Sequence, residues 1–171
     1  MNVRWSRAVV AGLVAFAAVF PVAVFLFGNP LSRRIVFTTD FGQSSKLLAN
    51  WLETQPIPPV GPFWEDLLAF TPEKVGILLA LAGVLVVHAL IYQIVAPVLP
   101  SAGWRKGISF GIGVWALVYL FYEIFVPLNQ FGEPIPIVVY ELILWFVVAA
   151  VEGLVIAAVT GWQGATPTAS G

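Results

Sequence analysis

Residues 137–160 read IVVYELILWFVVAAVEGLVIAAVT, an apolar run of 24 residues interrupted by only two acids. About 20 apolar residues suffice for a helix to cross the ~30 Å hydrocarbon core of a bilayer, so this run predicts a transmembrane helix. Three similar runs precede it, at residues 8–27, 75–99 and 107–126. None of them shows the alternating segments of a membrane β-barrel. The sequence therefore predicts an all-α, polytopic membrane protein with four transmembrane helices.

The composition of the whole chain agrees with this class. Of its 171 residues, 60% are hydrophobic and 10% are charged, whereas soluble domains carry about 25% charged residues. A net charge of −1 provides no positive field for nucleic acid. The chain has no cysteine and a single histidine, which excludes thiol chemistry and any metal site with two histidines. It also lacks the HExxH, GxSxG, GxGxxG and P-loop patterns, so we expect neither an enzyme nor a soluble small-molecule substrate.

A single four-helix domain, residues 1–171, is expected, with one long connection at residues 28–74. Within this connection, the apolar spacing at residues 43–54 predicts an amphipathic helix on the bilayer surface, and residues 63–70 predict a second short interfacial helix. Residues 161–171 have nothing to bury and are expected to be a flexible tail. Short loops follow the second and third spans. They predict that spans two, three and four form a compact three-helix unit, with the first span attached through the long connection.

Lysine and arginine are shared equally between the two sides of this topology, so their number does not fix the orientation. Two rules favour cytoplasmic termini. The first helix usually dominates, and Arg105 and Lys106 stand in a very short loop, where the positive-inside bias is strongest. We therefore expect an integral protein of the plasma (inner) membrane, with both termini in the cytoplasm and the long connection outside. Trp5, Trp104 and Trp162 then share one interface.

Four ionisable residues fall inside the predicted spans, where their cost suggests a function. They are His88, Glu123, Glu141 and Glu152. At 1.5 Å per residue, Glu123 and Glu141 share a depth near the outer interface, and His88 and Glu152 share a deeper one. We expect two intramembrane pairs. Because two adjacent carboxyl groups do not both ionise easily, the first pair is a candidate proton or cation site, unless both side chains snorkel to water.

Two interpretations of the deeper pair remain open. A buried imidazole that donates to a carboxylate would be structural pairing inside the bundle. Alternatively, His88 is a cofactor-binding residue, either an axial ligand to haem or chlorin or a hydrogen-bond donor to a quinone. Trp115 and Trp145, at matched depth on neighbouring spans, are expected to pack together or to line a groove for a flat ligand such as a carotenoid or a lipid tail. The sequence itself requires none of these cofactors.

Glu141 and Glu152 lie on one face of the fourth span, about 16 Å apart along the helix. Leu144, Trp145 and Val148 fill the interval between them. A continuous proton path along this face is therefore not expected.

Small residues recur at every fourth position on two spans. One stripe is Gly103, Gly107 and Gly111, and the other is Ala149, Gly153, Ala157 and Gly161. Such stripes let helices approach closely in lipid. We expect them to serve packing within the bundle, or contact with a foreign helix.

Three functions fit these observations. The first is a non-catalytic accessory or scaffold subunit of a larger membrane complex, such as a respiratory or photosynthetic one, with other integral membrane subunits and lipids as partners. Leu48 and Trp51, on the amphipathic helix of the long connection, are then the docking residues. The second is a small proton- or cation-conducting or sensing bundle built on the four polar residues. The third is a membrane anchor that binds pigment, haem or quinone through His88.

Overall fold

The computed structural model describes residues 4–37, 72–99 and 103–161. No β-strand occurs in this part of the chain. Four of its helices are long and apolar enough to cross a bilayer: Trp5–Gly28, Val75–Val95, Trp104–Gln130 and Ile135–Thr160. The prediction of an all-α protein with four helices of membrane-spanning length is confirmed.

In chain order the helices are α1 (Trp5–Gly28), α2 (Pro30–Phe37), α3 (Pro72–Val95), α4 (Trp104–Gln130) and α5 (Ile135–Thr160). Hydrogen bonds that involve side chains join the helices at both ends of the bundle. At what we call the terminal end, Arg7 Nη1 donates to the carbonyl oxygen of Thr160 at 3.0 Å. There Gln93 also exchanges two hydrogen bonds with the backbone of Arg4. At the opposite end, the loop end, the hydroxyl groups of Ser32 and Tyr140 lie 2.7 Å apart.

The third span, α4, is longer than expected because it continues through Pro127. Residues Trp115–Tyr119 and Ile124–Gln130 form π-helical turns. In a π turn each amide donates to the carbonyl oxygen five residues earlier, which widens the helix. Proline lacks only its own amide donor, so the widened helix accommodates Pro127 and continues. The connection expected at residues 127–136 is therefore reduced to residues 131–134.

The spans pack in an order that differs from the prediction. α1 packs along both α3 and α5, α4 packs along α5, and α3 makes little contact with α4 although a short connection joins them. The expected unit of spans two, three and four is therefore wrong, because α1 and α5 form the central pair. The cause lies in the small side chains of α1, which permit close approach. Ala8, Ala11 and Ala15 are fully buried, and Gly12 leaves no room for a methyl group beside Val86.

The two glycine-rich stripes meet where α4 crosses α5. A β-carbon added to Gly107 would lie 2.7 Å from the carbonyl oxygen of Gly153, and one added to Gly111 would clash with the carbonyl oxygen of Ala149. The absence of side chains therefore brings the two backbones into direct contact, which is the main source of helix association in lipid. Of the two uses expected for these stripes, the structure shows packing within the bundle.

The described start of the long connection contains a helix that the sequence did not predict, α2. Asn29 caps it, since its Oδ1 accepts hydrogen bonds from the amides of Leu31 (2.9 Å) and Ser32 (3.0 Å), and Pro30 occupies the first helical position. The surface helices predicted at residues 43–54 and 63–70, with the docking residues Leu48 and Trp51, lie outside the described residues. So do Trp162 and the tail beyond it.

Candidate functional site

The deeper polar pair is present in the bundle. Nδ1 of His88, on α3, lies 2.5 Å from Oε1 of Glu152, on α5. Glu152 is fully buried, and His88 is 8% exposed. By the helical rise, both residues lie about two thirds of the way from the loop end to the terminal end, well inside the hydrocarbon depth. The two residues that were expected to share a depth therefore form a direct hydrogen bond.

This hydrogen bond links two helices that otherwise touch little. α3 packs along α1, whereas its contact with α5 is short. One turn after His88, the side chain of Tyr92 is 1% exposed and meets Phe110 of α4 edge-on, with 5.2 Å between ring centroids. Beside its packing along α1, α3 therefore contacts α5 through His88 and α4 through Tyr92.

Three buried side-chain oxygens in the described interior have no hydrogen-bond partner. They are Oε2 of Glu152, the hydroxyl of Tyr92 and Oε2 of Glu123. Leaving such an atom unpaired costs about 1–3 kcal/mol, and native proteins keep few of them. These oxygens therefore mark positions where an added proton or a rearranged neighbour completes the bonding.

The shallower acids also come together, at the loop end. Glu123, on α4, is 2% exposed, and its Oε1 accepts a hydrogen bond from Nε1 of Trp145 at 2.8 Å. The carboxyl group of Glu141, on α5, lies beside it, close enough for the two groups to interact directly. The alternative in which both acids snorkel to water is wrong for Glu123, because its side chain is buried.

A third acid, Glu133, joins this group and was missed by the sequence reasoning. It is 3% exposed and interacts electrostatically with Glu123 and Glu141. Its burial follows from the fold of the α4–α5 connection, where its amide donates to the carbonyl oxygen of Pro127 at 2.9 Å. Gly132 makes this reversal with φ of 62°, a conformation that favours glycine. Gly132 was the only sequence signal that could have indicated the burial of Glu133. It predicts a turn but does not predict which side chain the turn buries.

Tyr119 lies between the two acid sites. Its ring stacks on that of Trp145, with centroids 4.7 Å apart and planes at 8°, and its phenol interacts electrostatically with Glu152. Since Trp145 donates to Glu123, polar and aromatic groups follow one another from one site to the other. The π turn Trp115–Tyr119 shifts the side-chain register of α4, so regular helical spacing did not indicate that Tyr119 stacks on Trp145 and lies near Glu152. The step from Tyr119 to Trp145 is a ring contact, so it does not complete a hydrogen-bonded wire.

The expected contact between Trp115 and Trp145 does not form, because each indole has other partners. Trp115 donates to the carbonyl oxygen of Leu142 at 2.9 Å and meets Phe146 edge-on at 5.7 Å. Trp145 lies against Phe27, with 4.7 Å between ring centroids, in addition to Tyr119. Both indoles therefore take part in packing between helices.

A cofactor on His88 would have to bind through Nε2, because Nδ1 faces Glu152. A carboxylate on the second ring nitrogen is the usual support of a ligating histidine, so this geometry suits an axial ligand. Within the described residues, no group of three His, Cys, Asp or Glu side chains is placed to hold a metal ion. The cofactor role of His88 therefore stays a prediction that depends on one ligand.

No protein-family model, no curated protein and no solved structure matches this chain. Function is therefore argued from the side chains. An imidazole–carboxyl pair holds a proton at membrane depth and exchanges it when its surroundings change. A pair of carboxyl groups does the same near the surface. Both sites are suited to proton chemistry.

Proposed function

We propose that the protein is a proton-sensing membrane bundle whose working pair is His88 and Glu152. The observation that carries this proposal is the buried hydrogen bond between them, which joins two spans that otherwise touch little. An ionisable pair inside the hydrocarbon is costly to keep, and residues of this kind usually serve ion or proton chemistry.

The charge of the pair supplies the signal. Nε2 of His88 carries one proton, and a second proton is shared between Nδ1 and the carboxyl group of Glu152. In this state the pair is neutral overall, either as imidazolium with carboxylate or as imidazole with carboxylic acid. Loss of that proton leaves a net negative charge, and gain of another leaves a net positive charge. Both charged forms are disfavoured at this depth. A pH change that removes or adds a proton on this pair would therefore weaken the contact between α3 and α5.

The packing of α3 supplies the response. Its long contact is with α1, where Gly12 lies against the backbone of Val86. If the pair at His88 and Glu152 ionises, α3 can shift along α1 without separating a large apolar interface. A small local charge change then biases an element with two positions, as in other protonation switches.

Paired spin labels test this response, because a chain without cysteine accepts labels at two chosen positions only. Ile91 on α3 and Ile143 on α5 are exposed and suitable for replacement by cysteine. In liposomes, the distance distribution between the labels should change between mildly acidic and mildly alkaline pH. It should not change in a background in which leucine replaces both His88 and Glu152. A distribution that is independent of pH in the parent protein would contradict the proposal.

Proton conduction is the neighbouring hypothesis and needs its own assay. Liposomes that contain the protein and a pH-sensitive dye are given a pH gradient, and the decay of the gradient is followed. The sensing proposal predicts decay no faster than in empty liposomes. Rapid decay that Glu152→Gln abolishes, and that the matched change Tyr140→Phe at the loop end does not, would favour a conducting bundle instead.

A second candidate function is that of an accessory subunit, which one observation favours. α3 carries Gly76 and Gly83 on its outer side, where an added β-carbon would meet nothing within 4 Å, and Ala80 between them is exposed. A stripe of this kind on a lipid-facing helix suits close contact with a helix of another membrane subunit. Leu48 and Trp51 remain the proposed docking residues of the long connection, and a respiratory or photosynthetic complex remains the proposed setting.

Purification in mild detergent with mass spectrometry of the co-purified proteins tests this candidate. Gly76→Leu with Gly83→Leu should release a partner that is otherwise stoichiometric. Gly113→Leu on α4, whose added β-carbon also meets nothing within 4 Å, is the matched control and should retain it. Recovery of the parent protein without a partner contradicts the accessory role. A visible absorption band in the same preparation, lost in His88→Leu, would point to the pigment or haem alternative.

We also propose that both termini face the cytoplasm and that the protein resides in the plasma (inner) membrane. The support is the pair Arg105 and Lys106 in the first turn of α4, together with Arg4 and Arg7 at the start of α1. Single cysteines at Ser6 and Gln130, both exposed, report the two ends of the bundle. An impermeant reagent should label position 130 on intact cells, and position 6 only after permeabilisation. The reverse pattern would overturn the orientation.

A further inference from the structure

We propose that Glu123 and Glu141 form a second proton-binding site, at the loop end, in which Glu141 carries one proton and donates it to the free oxygen of Glu123. The site is separate from the His88–Glu152 pair and does not depend on the sensing function proposed above. Its ligand is a proton taken from the water at that end of the bundle.

The bonding of Glu123 is the first step of the argument. Its side chain is 2% exposed, Oε1 accepts from the indole of Trp145 at 2.8 Å, and Oε2 is buried without a partner. Buried carboxylate oxygens in proteins normally accept a hydrogen bond, so we expect a neighbouring group to donate one to Oε2 of Glu123. The carboxyl group of Glu141 is in direct interaction with that of Glu123. It becomes a donor as soon as it is protonated.

The surroundings decide which of the two acids keeps the proton. The indole of Trp145 is a donor only, so it favours the ionised form of Glu123 against the cost of its burial. Glu141 is only partly buried, so its carboxyl group is the better placed of the two to take a proton from water. The structure therefore assigns the carboxylate to Glu123 and the carboxylic acid to Glu141.

Neighbouring charges oppose ionisation of both acids at once. Glu133, from the α4–α5 connection, faces both acids, and the phenol of Tyr122, on α4, interacts with both as well. A second ionised carboxyl group would add to the negative charge in a buried position. Arg34, on α2 at the same end, is exposed to solvent. Water screens its effect on the buried Glu123.

Infrared spectroscopy of the full-length protein in liposomes tests the site, since a carboxylic acid has a carbonyl band that a carboxylate lacks. At neutral pH the parent protein should show this band, and Glu141→Gln should remove the component that belongs to this site. Glu152→Gln is the control, and that component should persist in this variant. A parent spectrum without any carboxylic acid band, or a spectrum unchanged by Glu141→Gln, would overturn the proposal.

Thermal unfolding provides a second measurement that separates donor loss from misfolding. The amide of Glu141→Gln still donates to Glu123, so its unfolding midpoint should stay near that of the parent protein. Glu141→Leu supplies no donor, and its midpoint should fall clearly below that of the glutamine variant. Equal midpoints for the two variants, or a lower one for glutamine, would show that no proton is donated at this position.

Discussion

Removal of the His88 side chain tests the energetic weight of the deeper pair. In His88→Leu, both oxygens of Glu152 are left unpaired at a position with no solvent exposure. Removing one partner of a buried ion pair costs about 3–5 kcal/mol, whereas single hydrogen bonds between membrane helices average about 0.6 kcal/mol. The upper figure applies to a carboxyl group that stays charged, and isolated buried carboxyl groups in proteins generally become neutral instead. The remaining cost is that of a buried unpaired polar group, so we expect a loss of about 1–3 kcal/mol.

The variant in which leucine also replaces Glu152 should recover most of this loss. Two apolar side chains of similar volume leave nothing to desolvate, and such replacements of buried ion pairs are often neutral or stabilising. The coupling energy from the four proteins of this cycle should therefore be close to the loss in the single variant. Reversible unfolding in mixed micelles or bicelles gives the free energies.

A matched cycle on Ser32→Ala and Tyr140→Phe controls for any loss of an interhelical hydrogen bond. These hydroxyl groups bond across the loop end, far from the deeper pair. That cycle should give a coupling energy of less than about 1 kcal/mol. Losses in the His88 and Glu152 cycle that add within about 0.5 kcal/mol would refute the reasoning, because they would show that the two side chains do not interact.

Three further predictions concern the packing and its hydrogen bonds. Gly153→Ala should destabilise the protein because its methyl group meets the backbone of α4, whereas Gly113→Ala, in open space, should be neutral or stabilising by up to about 1 kcal/mol; thermal unfolding distinguishes them. Trp145→Phe removes the hydrogen-bond donor of the buried carboxyl group of Glu123, whereas Trp115→Phe removes a donor to a helix carbonyl oxygen with the same loss of ring area. The first variant should lose about 1–3 kcal/mol more of unfolding free energy than the second, as measured by denaturant unfolding. Arg7→Ala removes a bond to the last carbonyl of α5 and should raise amide hydrogen exchange there, with a global loss under about 1 kcal/mol.

The spans and the polar pairs could be predicted from the sequence because both depend on fixed lengths. The thickness of the hydrocarbon sets the length of an apolar run, and the helical rise converts residue numbers into depth. Residues 137–160 and the deep pair of His88 with Glu152 follow from these two constants, and the structure has both.

The lateral order of the helices and the contents of the site could not be predicted in the same way. Around α1, α3 and α5 the hydropathy differs little from side to side, so nothing in it placed α1 between α3 and α5. The π turns of α4 depend on packing, and they determine where Tyr119 stands and how far the helix continues past Pro127. Burial of Glu133 depends in turn on the shortened connection. Contacts that depend on the side-chain register after a π turn could therefore not be predicted from regular helical spacing.

The central claim is that His88 and Glu152 exchange a proton within the folded bundle, and proton counting tests it most directly. The purified protein and the variant in which leucine replaces both residues are titrated potentiometrically in the same detergent, and proton release is compared between mildly acidic and mildly alkaline pH. The parent protein should release about one proton more than the variant, since the pair binds and releases a proton as a unit. Identical titration curves for the two proteins would contradict the claim.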